Sequence, residues 1–348
     1  MSLATPVWAN SIFDILSSSE GDQPLEVTLD YQIDSLHRKN VDQHKAVFSF
    51  IDQTGKVQGW DLKISVRGKF RLRTCEFPPV KLDFKKKDLK AAGLSEFDKY
   101  KLVTPCFAGA SAEAALLREY LAYRAYNVVS SLSYRVKLLR LTHTDVNGNH
   151  PDRTVLAFLL ESTDQLAART NTEVLNENVG LPAGAYDPVE EATHAMFQYL
   201  IGNADWSNKL ALNVKKLRLE SGAIVPVGYD FDFSGWANTN YALPKREVGQ
   251  EFIGDRVYLG YTQADKIIAA ATLHFEGHEQ ELLQLLEHPL LRRSDRRKLR
   301  LYIRSFYTTL EFLLRGDEAI LYEKLRASAR GLIPLGTNVE DFLPTRER

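Results

Sequence analysis

The sequence predicts an α+β chain with two lobes, a strand-rich N-terminal lobe at 1–161 and a mainly helical C-terminal lobe at 162–348. The first part alternates apolar and polar residues, which is the period of a half-buried strand, whereas the last part repeats apolar residues at helical spacing. A β-hairpin rich in aspartate is predicted at about 203–235, within the helical part. These observations favour a two-lobed fold whose second lobe carries the hairpin.

The composition is that of a globular protein, and the charge assigns no partner. The chain has 348 residues, of which 44% are hydrophobic and 26% charged, and its formal net charge is −1. This length allows a substantial buried core, and the balanced charge gives no reason to expect a nucleic acid or an anionic membrane as partner. Because no apolar run reaches about 18 residues, we expect no membrane-spanning helix.

The N terminus and the two cysteines leave the cellular compartment open. "MSLATPVWANSIFDIL" has no basic segment followed by a continuous apolar one, so we expect no intact signal peptide. We favour a secreted or periplasmic protein after signal removal, with a cytoplasmic protein as the alternative. For Cys75 and Cys106 we favour two separate thiols. The alternative is a disulfide between neighbouring strand ends, which requires an oxidising compartment.

Five strands are predicted before the first long helix. A turn at "QTGK" joins the second to the third, and a proline pair fixes extended backbone ahead of the fourth. The segment "KKKDLKAAGLSEFDK" is expected to form a solvated loop or short helix. The predicted strands are "PLEVTLDYQI", "KAVFSFID", "WDLKISVRG", "FPPVKLDF" and "KYKLVTPC".

A long helix is predicted at about 111–131, where Leu117, Leu121 and Ala125 recur at helical spacing behind a possible N-cap at Ser111. Two strands follow, "SYRVKLLRLTH" and "RTVLAFLLES", joined by a turn in "DVNGN". The remaining helices are predicted in "PVEEATHAMFQYLIGN", "QADKIIAAATLHF", "EGHEQELLQLLEH" and "SDRRKLRLYIRSFYTTLEFLLRGDEAILYEKL".

The hairpin combines two polar segments, "GNADWSNKLALNV" and "VPVGYDFDFSG", which face each other across a turn in "ESGA". We expect Asp205, Asn213 and Asp230 to converge at one end of this hairpin. In protein kinases an aspartate orients the acceptor hydroxyl, an asparagine follows it, and a second aspartate after the next strand binds the metal. The spacing therefore indicates phosphoryl transfer, and the order of elements is typical of a protein-kinase-like fold.

The chain also resembles the spore-coat-protein-H-like (CotH-like) superfamily of atypical protein kinases, as a bacterial member. The resemblance is carried by "SVRGKFRLRTCEFPPVKLDF", "LLREYLAYRAYN", "AFLLES" and the two polar segments of the hairpin. It spans about residues 60 to 240. The loop "RGKF" lacks the serine found in the family, and Arg118 is followed by Glu119 where the family often has asparagine.

The resemblance and the spacing together suggest roles for the hairpin residues. Asp205 resembles the catalytic aspartate and Asp230 the metal-binding one. Asn213 is the favoured asparagine ligand and Asn208 the alternative. Asp232 is expected to bind a second metal or to anchor the end of the strand.

Candidate nucleotide-binding residues lie in the N-terminal lobe and on the long helix. Lys81 and Lys101 are alternatives for the ammonium that bridges the phosphates, and Glu119 is the expected ion-pair partner. Two further candidates for phosphate contact are Arg67 and Gly68. Glu161 belongs to "LLES", which is expected to contact adenine through its backbone.

These residues predict a phosphotransferase that uses ATP with Mg²⁺ or Mn²⁺ and transfers phosphate to a hydroxyl group, for which we favour a protein acceptor. The alternative is a catalytically inactive kinase-like protein that binds a surface or matrix, because a fold does not imply activity. The sequence does not determine the oligomeric state.

Overall fold

The computed structural model describes residues 10–17, 23–37, 43–52, 54–68, 71–176, 179–314 and 321–328. The chain divides into two compact units. One comprises Met1–Leu116 with Val136–Gln165, and the other comprises Leu117–Arg135 with Leu166–Arg348. Residues 69–70 of the predicted "RGKF" loop lie outside the described residues.

The first unit is built on a closed barrel of seven strands. The strands are β1 Leu25–Tyr31, β2 His44–Ile51, β3 Val57–Val66, β4 Val80–Phe84, β5 Lys99–Val103, β6 Val136–Asp145 and β7 Arg153–Leu160. They neighbour one another in the order β1-β2-β3-β4-β5-β7-β6, and β1 closes the barrel by pairing with β6 in parallel. The other neighbouring pairs are antiparallel.

The helices that begin in the first unit are α1 Ile12–Ser17, α2 Ile33–His37, α3 Arg71–Thr74, α4 Lys86–Ala91, α5 Ala110–Val129 and, after β7, α6 Thr163–Arg169. They are short, apart from α5, and both α5 and α6 continue into the second unit. The prediction of a long helix at about 111–131 agrees with α5, but Ser111 lies within the helix and is not its N-cap. From Leu117 onward, α5 belongs to the second unit.

The alternating apolar residues of the strands fill the barrel. Phe48 of β2, Leu82 of β4 and Leu102 of β5 are fully buried in one core. The residues next to each of them along the strand do not belong to this core, as expected for side chains that alternate between the two faces of a strand. Phe13 of α1 belongs to the same core and stacks on Tyr100, with ring centroids 6.1 Å apart. The burial pattern of these strands thus agrees with the apolar–polar alternation from which the strands were predicted.

The predicted two-lobed protein-kinase-like fold is wrong. The structure has a closed seven-stranded mixed barrel and a separate three-stranded sheet instead of the open sheet of that fold. Apolar alternation is a local signal that predicts strands but not their partners. Closure of the barrel depends on a pairing remote in sequence, in which Leu25 of β1 lies opposite Leu139 of β6.

Cys75, directly after α3, and Cys106, shortly after β5, form a disulfide bond. The favoured expectation of two separate thiols is therefore wrong, and the alternative is observed. The bridge joins residues 31 positions apart. Closing a loop of this size in the unfolded chain stabilises the folded state by roughly 3–4 kcal/mol.

The second unit is mainly helical and contains the three-stranded sheet. The sheet consists of β8 Glu173–Val174, β9 Val214–Arg218 and β10 Ile224–Gly228, with β9 in the centre. The helices after α6 are α7 Pro188–Leu200, α8 Asp265–Gly277, α9 Glu279–Gln284, α10 Arg293–Leu314 and α11 Leu321–Ser328.

The helices of the second unit pack through buried aromatic and aliphatic residues. Phe275 of α8 and Phe306 of α10 are fully buried, with ring centroids 5.8 Å apart. The single helix predicted in "SDRRKLRLYIRSFYTTLEFLLRGDEAILYEKL" corresponds to α10 and α11, and 315–320 between them lie outside the described residues. Within the described ranges, no helix has the length and apolar character needed to cross a membrane.

Candidate metal and catalytic site

Helix α7 and the turn after it place Asp205. Asp187 caps the start of α7 by accepting hydrogen bonds from the N–H groups of Val189 and Glu190, both 3.0 Å long. After the helix, Gly202 adopts a φ of 61°, and a Cβ there would lie 2.0 Å from the Tyr302 hydroxyl oxygen. Only glycine fits this turn without displacing a neighbour.

Buried polar groups then fix the loop that carries Asp205. Gln198 of α7 accepts a 2.9 Å hydrogen bond from the side-chain amide of Asn203, and the Oδ1 of Asn203 accepts a 2.9 Å hydrogen bond from the N–H of Asp205. Gln198 and Asn203 are each 1% exposed. Because the chain of hydrogen bonds starts on a rigid helix, the backbone of Asp205 is held in one position.

Both carboxylate oxygens of Asp205 have partners in the second unit. The side-chain amide of Asn213 donates to Oδ2 at 2.9 Å and to the backbone carbonyl of Asp205 at 2.7 Å. The Nζ of Lys245 lies 2.7 Å from Oδ1. The Asp205 side chain is 26% exposed, so it remains accessible to solvent. The proximity of Asp205 and Asn213 is confirmed, whereas their predicted convergence with Asp230 stays a prediction.

The hairpin formed by β9 and β10 leads from this loop towards Asp230. The backbone carbonyl of Asn213, just before β9, accepts a 3.0 Å hydrogen bond from the N–H of Tyr229, the residue before Asp230. Asp230 has a φ of 66°, a left-handed conformation that aspartate tolerates better than most residues. Its N–H donates a 2.8 Å hydrogen bond to the Tyr123 hydroxyl.

Three carboxylates of the second unit come together after this hairpin. Glu119 of α5, Asp230 and Asp232 each offer an oxygen, and these oxygens lie within 4.8 Å of one another. Glu119 and Asp232 are each only 3% exposed. Glu119 and Tyr123 are four residues apart on α5, so the same helix face supplies one carboxylate and the hydroxyl that holds Asp230. We call these three residues the carboxylate cluster.

Glu119, Asp230 and Asp232 could hold a metal ion, because each offers a carboxylate oxygen and carboxylates are among the ligands that Mg²⁺ and Ca²⁺ prefer.

The spacing of the carboxylate cluster suits a divalent ion that prefers oxygen ligands. Ligands on opposite sides of Mg²⁺ are about 4.2 Å apart, and those of Ca²⁺ are about 4.6–5.2 Å apart. The oxygens of Glu119, Asp230 and Asp232, within 4.8 Å of one another, are therefore close enough together to share one ion. Asp232 is held further by the Tyr241 hydroxyl, which donates to its Oδ2 at 3.0 Å.

Asn208, the alternative asparagine ligand, lies against the buried Glu191 of α7. Its side-chain amide donates to Glu191 Oε1 at 3.3 Å, and the N–H of Tyr261 and the side chain of Gln263 also donate to this carboxylate. Burial raises the pKa of Glu191. Asn208 thus helps to hold the loop after Asp205, and its predicted role as a metal ligand stays a prediction.

The other candidate residues for nucleotide binding lie in the first unit. Lys81 of β4 and Lys101 of β5 are directly opposite each other in the barrel wall, and both are half-buried on its outer face. Arg67, followed by Gly68, comes directly after β3, and its N–H donates to the carbonyl of Pro79 at 3.0 Å. Glu161 follows β7 and is 2% exposed. The predicted contacts of these residues with a nucleotide stay predictions.

The sequence did not indicate two features of the site. Glu119 was assigned as the partner of a lysine, and its place beside Asp230 and Asp232 depends on how α5 packs. Lys245 had no signal at all, because it lies in a loop without periodicity, 40 positions after Asp205. The one available sequence signal for the position of Glu119 was its four-residue spacing from Tyr123, which places both side chains on one face of α5.

His194 of α7 is buried beside the loop and makes the stability dependent on pH. It is 1% exposed, the Tyr126 hydroxyl lies 2.9 Å from its Nδ1, and burial lowers its pKa to about 3. In the unfolded chain a histidine titrates near 6.5. Between about pH 6.5 and 3 the unfolded state therefore binds more protons, so stability is lost as the pH falls, by about 1.4 kcal/mol per pH unit.

We therefore expect His194→Asn to reduce the dependence of the unfolding free energy on pH. Urea denaturation at pH 4, 5 and 6 measures the slope, which should be lower than in the wild type by about 1.4 kcal/mol per pH unit. Tyr126→Phe is the control, because it removes the hydrogen bond but keeps the imidazole and so shifts stability without reducing the slope. Equal slopes in wild type and His194→Asn would contradict the prediction.

Comparison with known proteins adds no family assignment, because no family model and no curated protein matches the chain. The class of site therefore follows from its geometry. The carboxylate cluster follows the hairpin of β9 and β10. Before the first strand of that hairpin, Asp205 is held by Asn213 and Lys245. Such a combination suits chemistry on an anionic substrate held by a metal.

Proposed function

We propose that the protein is a phosphotransferase that uses ATP and a divalent metal ion, Mg²⁺ or Mn²⁺, to phosphorylate a hydroxyl group of a protein. The observation that carries the proposal is the carboxylate cluster, which offers three hard oxygen ligands in a buried setting. The resemblance of the hairpin motifs to the spore-coat-protein-H-like superfamily supports the same activity. The proposal does not depend on a protein-kinase-like fold.

The chemistry divides between the two groups of residues. A metal ion held by Glu119, Asp230 and Asp232 would bind the phosphates and neutralise charge on them. Asp205 would accept the proton of the acceptor hydroxyl, and the hydrogen bond from Asn213 keeps its carboxylate oriented. The hydrogen bond between Asn213 and Tyr229 couples the position of Asp205 to that of Asp230.

The Cys75–Cys106 disulfide supports a secreted or periplasmic location for this activity. Structural disulfides persist in oxidising compartments and are rare in the reducing cytosol. The expected acceptor is therefore a protein of the same compartment.

A thermal unfolding experiment tests the proposal. At about 100 times its dissociation constant, a ligand adds roughly 2.7 kcal/mol to stability, which corresponds to a rise in Tm of roughly 5–10 °C for a unit of this size. We expect this rise with ATP plus Mg²⁺ or Mn²⁺ and not with ATP plus a chelator. If no nucleotide raises Tm with any divalent metal, the alternative of an inactive protein that binds a surface or matrix replaces the proposal.

A further inference from the structure

Lys245 forms a close ion pair with Asp205 in a position that the proposed reaction can use. Its Nζ lies 2.7 Å from Oδ1, while Asn213 occupies Oδ2. A carboxylate oxygen accepts more than one hydrogen bond, so an acceptor hydroxyl can share Oδ1 with Lys245. Two donors on one oxygen lie roughly 4–5 Å apart at ordinary hydrogen-bond lengths and angles. The ammonium would therefore stand beside the oxygen that attacks phosphorus.

The loop that carries Lys245 is anchored by a buried glutamine. The Oε1 of Gln250 accepts the N–H of Lys245 at 2.9 Å, and its side-chain amide donates to the carbonyls of Ile253 and Asp255 at 3.3 and 3.1 Å. Gln250 is 1% exposed. The oxygen and the nitrogen of the Gln250 side chain are thus both hydrogen-bonded, and together they fix the backbone of Lys245 relative to residues 253–255.

Arg256 secures the far end of the same loop. Its guanidinium donates to the carbonyl of Leu200, the last residue of α7, and to Ser305 and the carbonyl of Tyr302 on α10. Because α7 also positions Asp205, both members of the ion pair are tied to one helix. Side chains supported in this way keep the geometry that catalysis needs.

The positive charge of Lys245 can assist phosphoryl transfer. The carboxylate of Asp205 must approach a phosphoryl group that also carries negative charge, and an adjacent ammonium offsets the repulsion. One N–H of Lys245 suffices for Asp205, which leaves two donors for phosphoryl oxygens. An exposed ion pair with no further role would contribute little to stability.

We propose that Lys245 is a catalytic residue that contacts the phosphoryl group during its transfer. This inference rests on the proposed function. The acceptor oxygen forms a bond to the γ-phosphorus, and the bond from that phosphorus to the oxygen of ADP breaks. The bonding electrons leave with ADP. The hydroxyl proton passes to Asp205, while Lys245 keeps its protons and stabilises the charge on the phosphoryl oxygens.

Binding of ADP with Mg²⁺, with and without fluoroaluminate, tests the role of Lys245. Fluoroaluminate imitates the phosphoryl group in transfer, so its binding reports contacts that ADP alone does not make. We expect Lys245→Met to weaken the binding of ADP–fluoroaluminate by about 100-fold and to leave the affinity for ADP unchanged within twofold. Lys245→Arg should restore part of the loss, because it keeps the charge.

Lys266→Met is the matched control, since Lys266 is an exposed lysine on α8 of the same unit. It should bind both ligands as the wild type does. If Lys245→Met keeps its affinity for ADP–fluoroaluminate, or loses both affinities equally, Lys245 is not catalytic while the proposed function still holds. If the wild type binds neither ligand, the proposed function fails, and the role of Lys245 fails with it.

Discussion

Replacing Asp230 with asparagine is expected to abolish binding of ATP with Mg²⁺ or Mn²⁺ and, with it, phosphate transfer. The change removes one charge from the carboxylate cluster but hardly alters its volume. Of the three proposed ligands, only Glu119 and Asp232 would then remain to bind the ion. Because the ion connects the protein to the phosphates, losing it removes both nucleotide affinity and turnover.

Isothermal titration with Mn²⁺ measures this effect directly, before any nucleotide is added. Removing one of the three carboxylates should lower Mn²⁺ affinity by at least tenfold, as do changes to groups that support metal ligands. The matched control is Glu281→Gln, which removes one charge from an exposed position of α9. Unchanged Mn²⁺ affinity in Asp230→Asn would show that the carboxylate cluster is not a metal site.

Replacing Asp205 with asparagine is expected to suppress phosphate transfer while leaving nucleotide binding nearly intact. Asp205 is proposed to act on the acceptor hydroxyl, and its carboxylate is not part of the carboxylate cluster. Loss of a positioned general base typically lowers the rate by about 10²–10⁴-fold. Asparagine has nearly the same shape and keeps one acceptor oxygen for the amide of Asn213, which also donates to the backbone carbonyl of residue 205, so the loop should remain in place. The new NH2 group then replaces the oxygen that pairs with Lys245.

The measurement compares transfer of labelled phosphate from ATP to the protein itself with the rise in Tm caused by ATP and Mn²⁺. Asp205→Asn should lose the labelling and keep the rise in Tm, whereas Asp230→Asn should lose both. The different outcomes separate the two roles. If Asp205→Asn labels at the wild-type rate, then Asp205 is not the general base.

Local patterns in the sequence predicted the strands, the long helix and the polar loop. Apolar–polar alternation predicted the strands whose buried residues, such as Phe48 and Leu82, form the barrel core. Helical spacing of apolar residues predicted α5 and α7. The order of polar residues around the predicted hairpin indicated that Asp205 lies close to Asn213. These features depend on residues near one another in the chain, where periodicity and turn chemistry act directly.

The fold class could not be obtained in this way. A strand that ends a sheet and a strand that closes a barrel have the same alternation, so β1 gave no sign that it pairs with β6. The bridge between Cys75 and Cys106 likewise depended on a distance that no local pattern specifies.

The sequence by itself determined which chemical groups are available, namely the aspartates and asparagines of the hairpin and the apolar side chains that its strands bury. Only the tertiary structure decided how they combine, because the site joins residues that are remote in the chain. Glu119 meets Asp230 and Asp232 through the packing of α5, and Lys245 meets Asp205 through a loop fixed by Gln250. Burial and proximity turn separate acidic and basic residues into a site, and both arise only when the chain folds.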